Sequence, residues 1–199
     1  SVATPVAKRS HPVSIIAIGS STGGPPALQA VIPRLPRNLP VGVVVAQHMP
    51  ATFTKSLADR LNSLSRVNVK EAEHGEPVDP GTVLIAPGGR HLTIRKHGAK
   101  ASVVVSDEPS TTLYKPCVDV TVSSVAESYG RATMGVILTG MGSNGLTGIR
   151  NIRDKGGIVI AQNEETCVVY GMPRAVIEAN LVTHVAAVEN IAAEILSYF

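Results

Sequence analysis

The chain predicts an α/β fold: a doubly wound, mostly parallel sheet in a Rossmann-like three-layer architecture, with an antiparallel β-hairpin at one edge. Short apolar runs of strand length alternate with helical segments along almost the whole sequence, the pattern of βαβ units with right-handed crossovers. The runs are nearly continuous Val, Ile and Ala, as strands buried on both faces require. Several stop abruptly at small-residue or polar turns, and an open parallel sheet binds ligands at such strand ends.

Taken in order, residues 1–12 are polar and aperiodic, with Pro5 and Pro12. They read as a linker or its remnant, so a single domain is expected over residues 13–199. Ser14–Ile18 is the first strand, Ala27–Ile32 continues a helix ended by Pro33 and Pro36, and Val41–Ala46 is the second strand. Thr52 or Thr54 is a candidate cap for a helix with apolar positions Phe53, Leu57, Leu61 and Leu64. Val67–Val69 and Val83–Ala86 are further strands, and His91–Arg95 with Ala101–Val105 form the hairpin. Pro116 precedes an amphipathic helix through Val118, Val122, Val125 and Ala126. Met134–Thr139 is a core strand, about Leu146 to Asp154 a helix, and Ile158–Ala161 a strand, with helices at Met172–Ala179 and Val188–Tyr198.

Composition narrows the functional classes. The chain has 199 residues, 44% hydrophobic and 17% charged, which suits one domain with a full core and argues against disorder. Aromatics are 3%, without Trp, so the core rests on aliphatic side chains. A net charge of +3 with scattered Lys and Arg gives no nucleic-acid surface, though a weakly basic face suits an acidic protein partner. Cys117 and Cys167 form no C-x-x-C unit and read as reduced thiols. No stretch has the length of a membrane span and no signal peptide is visible, so a soluble, cytoplasmic protein without membrane insertion is expected.

Three polar turns could carry chemistry: Gly19–Gly24, Gln47–Pro50 and Gly140–Gly145. Gly19-Ser20-Ser21-Thr22-Gly23 fits the G-x-S-x-G pattern, in which a strained strand-to-helix turn pushes a serine hydroxyl above the sheet. Ser21 is the candidate nucleophile, and the N–H groups beside it, at Thr22, are candidate oxyanion donors. A phosphate cradle at a helix N-terminus, or a plain turn, is the competing reading of this turn alone. The P-loop version lacks its Lys-Ser/Thr pair, and G-x-G-x-x-G fails because Ser21 occupies the second glycine position. A serine hydroxyl needs a base within reach. His48 is the histidine directly after a core strand and can supply it. His91 is a weaker candidate for shaping the site, whereas His11, His74, His97 and His184 read as structural or solvated. A metal held by His48 and His91 lacks a carboxylate or cysteine cluster, so no metal and no organic cofactor is expected. Met141, flanked by glycines, can offer its N–H as a second oxyanion donor. Asn144 stands where a residue orienting the histidine is needed, although Ser143-Asn144-Gly145 is also ordinary turn and helix-cap chemistry.

Ile-Gly-Ser-Ser-Thr-Gly-Gly (18–24), Gln-His-Met-Pro (47–50), Ile-Ala-Pro-Gly (85–88), Val-Ile-Leu-Thr-Gly-Met-Gly (136–142), Ala-Gln-Asn-Glu (161–164) and Val-Tyr-Gly-Met-Pro (169–173) occur in this order. In this the chain resembles the chemotaxis protein-glutamate methylesterases, the CheB family, over about Val13 to Ser197. The resemblance implies a serine hydrolase that cleaves glutamate methyl esters, and deamidates glutamines, on the cytoplasmic helices of methyl-accepting chemotaxis receptors. It implies Ser21 as nucleophile, His48 as base and the N–H groups of Thr22 and Met141 as oxyanion donors. It also implies a phosphorylatable N-terminal receiver as partner, with residues 1–12 read as what remains of a linker to it. Asn144 falls where the family has a catalytic Asp. If its carbonyl oxygen turns toward the ring N–H, the histidine tautomer survives and charge stabilisation is what is lost. Asp119 and Asp107 are other acids in the chain, and sequence places neither beside His48. The alternative function is a receptor-binding module with impaired catalysis. A nucleotide-binding domain is the third reading. Residues 106–115 diverge from the family's usual wording.

Overall fold

The computed structural model describes residues 12–199 of the protein. His11 and the expected linker, apart from Pro12, lie outside the described residues. The first half of the chain builds β1 (Ile15–Ser20), α1 (Gly24–Val31), β2 (Gly42–Gln47), α2 (Ala51–Leu64), β3 (Asn68–Glu71) and β4 (Thr82–Ile85). The hairpin β5 (His91–His97) and β6 (Lys100–Ser106) comes next. The second half builds α3 (Val118–Tyr129), β7 (Thr133–Ile137), α4 (Leu146–Asp154), β8 (Ile158–Gln162), α5 (Gly171–Glu178), β9 (His184–Ala186) and α6 (Ile191–Leu196).

Among the described residues, seven strands form one sheet in the order β3-β4-β2-β1-β7-β8-β9, every neighbouring pair parallel. The hairpin is a separate two-stranded antiparallel sheet that packs on α3. From β1 the chain winds outward through β2, then returns to lie on the other side of β1 as β7. The crevice of the sheet therefore opens at the C-terminal ends of β1, β2 and β7.

Strand alternation explains why these runs are apolar throughout. Ile16, Ile18, Val43, Val45 and Val136 face one core with α1, α2 and α6. Ile15, Ala17, Val44, Ala46 and Ile137 face the other, with α3, α4, α5 and the hairpin. Each large aliphatic side chain so buried contributes about 1.5–3 kcal/mol relative to exposure. The central strands thus become a rigid platform for the turns at their ends.

Two local expectations give way. Neither Thr52 nor Thr54 caps α2, which starts at Ala51 behind an extended Pro50 with no side-chain cap. The Thr54 hydroxyl is spent elsewhere, donating to Glu71 Oε2 at 2.6 Å and accepting the Gly88 N–H at 3.1 Å. The last helical stretch is interrupted, with a 3-10 turn at Val188–Asn190 before α6, and β9 adds an edge strand that three residues could not announce. No helix among the described residues is long and apolar enough to cross a membrane.

Candidate active site

Parallel pairing brings the first two turns together. Ser20 lies opposite Gln47 in register, so Ser21 and His48 are the next residues on neighbouring strands, and the His48 N–H reaches Ser20 O at 3.1 Å. Gln47 clamps the pair from beneath. Its buried Oε1 accepts the Ser20 hydroxyl, while Nε2 donates to Ser21 O at 2.9 Å and to His48 O at 3.1 Å. Gly24 leaves room for this amide, since a Cβ there would overlap Gln47 Oε1.

The β7 turn closes against the same spot. Ser21 N–H donates to Thr139 O at 3.0 Å, and Gly140 N–H to Val169 O at 2.9 Å. Those two groups belong to the scaffold. The next N–H in each turn, Thr22 and Met141, donates no hydrogen bond among the described residues. Gly140 is needed for the approach: a Cβ there would stand 2.9 Å from Ser21 Cβ.

Asn144 receives the histidine. His48 Nε2 lies 2.8 Å from Asn144 Oδ1, which also accepts the Val118 N–H at 2.7 Å. Asn144 Nδ2 donates to Asp119 Oδ2 at 3.0 Å and contacts Cys117 Sγ at 3.4 Å. A backbone N–H on one side and a carboxylate on the other admit one amide orientation, oxygen toward the ring. The Nε2 hydrogen bond therefore leaves Nδ1 as the unprotonated nitrogen, and that atom is buried without a partner. Asn144 is no helix cap: Gly145 occupies the N-cap position of α4, and Asp119 Oδ1 takes the Gly145 and Gly148 N–H groups at 3.0 and 2.9 Å.

Burial is the main influence on His48 and pushes its pKa below the ordinary histidine value. The Asn144 hydrogen bond and the charge of Asp119 act in the opposite direction. The neutral, proton-accepting ring is thus the resting form near neutral pH.

The remaining candidates fall into supporting places. Tyr114 stacks on the His48 ring, centroids 4.1 Å apart and planes 9° from parallel. His91 is buried at the start of β5, with Nε2 2.9 Å from Pro109 O and 3.1 Å from Thr112 Oγ1, whose hydroxyl donates to Tyr114 O at 2.8 Å. It therefore shapes the site at one remove, by anchoring the segment that carries Tyr114. Asp107 pairs with Arg90 at the surface and has no part in the site. Tyr114 walls two hollows, of about 360 and 490 Å³, one floored by His48 and the other by Asn144 and Asp119.

Such a junction of three strand-end turns invites comparison with known proteins. Residues 16–195 match the family model described as CheB methylesterase. The chain belongs to the CheB methylesterase family. Its fold matches the crystal structure of the Thermotoga maritima CheB methylesterase catalytic domain with a TM-score of 0.91 and 45% identity, covering 94% of this chain and 99% of that one. It is 52% identical over 183 residues to the protein-glutamate methylesterase/protein-glutamine glutaminase of Lawsonia intracellularis, and 50% identical over 183 residues to that of Archaeoglobus fulgidus. Each alignment covers 92% of this chain and 51% or 52% of the relative, so the chain spans about half the length of these curated CheB relatives.

Sequence reasoning misses Gln47 and Tyr114 at this candidate site and leaves Asp119 unplaced. Gln47 lies inside the Gln-His-Met-Pro motif, which points to His48 and gives no sign of the clamp. Tyr114 lies in the divergent segment 106–115. Asp119 could be tied to Asn144 only once α3 and α4 were known to pack together.

Proposed function

We propose that this domain is a serine hydrolase of glutamyl methyl esters, with glutamine side chains as a second substrate, acting on the cytoplasmic helices of chemotaxis receptors. The observation that carries the reading is the convergence of the β1, β2 and β7 turns, with the His48 ring held by Asn144 at 2.8 Å. Ser21 Oγ attacks the γ-carbonyl carbon and its proton passes to His48, at Nδ1 because Nε2 is committed to Asn144. The carbonyl electron pair moves onto oxygen, where the N–H groups of Thr22 and Met141 receive it. As the carbonyl re-forms, the C–OCH₃ bond breaks and His48 protonates the methoxide, releasing methanol. Water repeats the sequence on the acyl-serine: His48 takes its proton, hydroxide adds to the carbonyl, and Ser21 leaves with the proton. A glutamine substrate releases ammonia in the first half instead.

The rim suits a protein substrate. Phe53, Leu113, Met141 and Val168 are all more than half exposed, on the four segments that surround the crevice. A regulatory receiver domain as partner belongs to this reading as well.

The test is methanol release from a receptor cytoplasmic fragment carrying isotopically labelled methyl esters. Ser21→Ala abolishes release and His48→Gln reduces it by orders of magnitude. Release that survives Ser21→Ala overturns the mechanism. Wild-type protein that binds the fragment but releases no methanol above the Ser21→Ala background makes it a binding module instead.

A further inference from the structure

Asn144 holds the imidazole but carries no charge, and the group behind it does. Asp119, on the first turn of α3, accepts three N–H groups with its two oxygens: Asn144 Nδ2 at 3.0 Å, Gly145 N at 3.0 Å and Gly148 N at 2.9 Å. Among the charged and titratable groups near His48, Tyr114 stacks on the ring and Lys115 lines the same hollow. Asp119 is the anion whose field reaches the ring.

Building on the proposed reaction, we propose that Asp119 is a positioning residue that acts through Asn144, fixing the carboxamide with its oxygen on His48 and supplying the negative charge the carboxamide lacks. The hydrogen-bond inventory demands it. Every group around Asp119 is a donor, so only a residue with two acceptor oxygens satisfies them all. An amide at position 119 keeps one oxygen, which stays with the two N–H groups of α4, and turns its NH₂ toward the NH₂ of Asn144. Asn144 can relieve that clash only by releasing its oxygen from Val118 and His48. The Nε2–H tautomer then loses its anchor, and Nδ1 is no longer reserved as the base.

The same network predicts that the two side chains can be exchanged. In the double variant Asp119→Asn/Asn144→Asp, the carboxylate now at position 144 accepts from Val118, from His48 and from the amide NH₂ now at position 119. The network is complete again, with the charge moved next to the ring. The experiment is nitrogen-15 NMR of histidine-labelled protein at pH 8, alongside methanol release. Wild type shows His48 protonated on Nε2. Asp119→Asn loses that dominance and turns over about 10- to 100-fold more slowly with little change in KM, as loss of a charge-assisted hydrogen bond implies. The swap restores the Nε2–H signature and brings turnover to at least the wild-type level. The idea is overturned if Asp119→Asn leaves both tautomer and turnover unchanged, or if the folded swap stays as impaired as Asp119→Asn. Should Asp119→Asn not fold, the wild-type spectrum decides, since an Nδ1–H resting tautomer also overturns it. The tautomer is read without substrate. A failure of the hydrolase reading, seen as release surviving Ser21→Ala, is therefore separable from a failure of Asp119.

Discussion

Removing the Tyr114 ring tests how the site keeps His48 neutral and aligned. The ring lies 4.1 Å from the imidazole and nearly parallel to it, and burial is the largest influence lowering the His48 pKa. An aromatic pair contributes about 0.5–1.5 kcal/mol beyond the area it buries, a factor of roughly 2 to 13 in rate if the alignment it gives is used in the transition state. Tyr114→Ala should therefore lower kcat/KM for a methylated receptor fragment by that factor at pH 8, where His48 is neutral in either protein. It should also admit water to the ring and let the His48 pKa climb back toward 6.5. The acid limb of the pH–rate profile then moves to higher pH, and the deficit widens as pH falls. Tyr114→Phe keeps the stack and should keep the profile. An unmoved acid limb in Tyr114→Ala, or a Phe variant as damaged as the Ala variant, would refute the account. Thermal midpoints of the three proteins separate this from loss of the fold.

Other perturbations bear on the same junction. Gln47→Ala leaves the buried Ser20 hydroxyl without its acceptor. It should cost about 1–3 kcal/mol in denaturant titrations, with turnover falling more than KM rises. Gly140→Ala sets a Cβ 2.9 Å from Ser21 Cβ and 2.3 Å from Met172 Sδ, so a stability loss of about 1–3 kcal/mol should accompany a larger loss of turnover. Burial lowers the pKa of both His48 and His91 in the folded state. The unfolded chain then binds more protons below about pH 6.5, so stability is complete above that pH and falls as pH drops toward the folded values. Melting curves from pH 8 to 5 should show this, and His91→Gln should flatten part of the decline. Asn144→Asp alone sets a carboxylate oxygen where Nδ2 now lies 3.0 Å from Asp119 Oδ2. One carboxyl must then hold a proton above the usual carboxylate range, so the variant's melting deficit against wild type should grow as pH rises from 5 to 8.

What could be read beforehand was whatever the backbone dictates locally. Ile15–Ile18 and Val43–Val45 are apolar without alternation because both faces of the central strands are covered, and that pattern is visible in any order of folding. Ser21, His48 and Asn144 could be singled out as candidates because each lies in a turn that follows such a strand, and parallel strands deliver their C-terminal ends to one crevice. Asp119 and Tyr114 follow no such rule. Asp119 meets Asn144 because α3 and α4 pack side by side, and Tyr114 meets His48 because His91 and Thr112 fold a loop over it. Thr54 shows the opposite failure, a residue with sound capping chemistry whose hydroxyl was claimed by Glu71 and Gly88 from distant strand ends.

Whether an amide at position 144 disables the site turns on which property of a carboxylate matters most. In the serine-protease case an Asp-to-Asn change costs about 10⁴ in turnover because the histidine adopts the wrong tautomer. Here the Val118 N–H and the Asp119 carboxylate hold the amide oxygen on Nε2, so the tautomer is kept. What remains to lose is charge. A carboxylate in direct contact would stabilise the imidazolium by about 4 kcal/mol at an effective dielectric constant near 20 and a separation of about 4 Å. Asp119, joined to the ring through the Asn144 amide by contacts of 2.8 and 3.0 Å and so roughly twice as distant, still supplies roughly 2 kcal/mol by the same rule. The difference of about 2 kcal/mol corresponds to roughly 30-fold in rate. The Asp119→Asn/Asn144→Asp swap should therefore exceed wild-type turnover by about 10- to 100-fold, with its acid limb at higher pH because a nearer anion raises the His48 pKa. A gain approaching 10⁴ would mean instead that the wild-type amide fails to hold the tautomer.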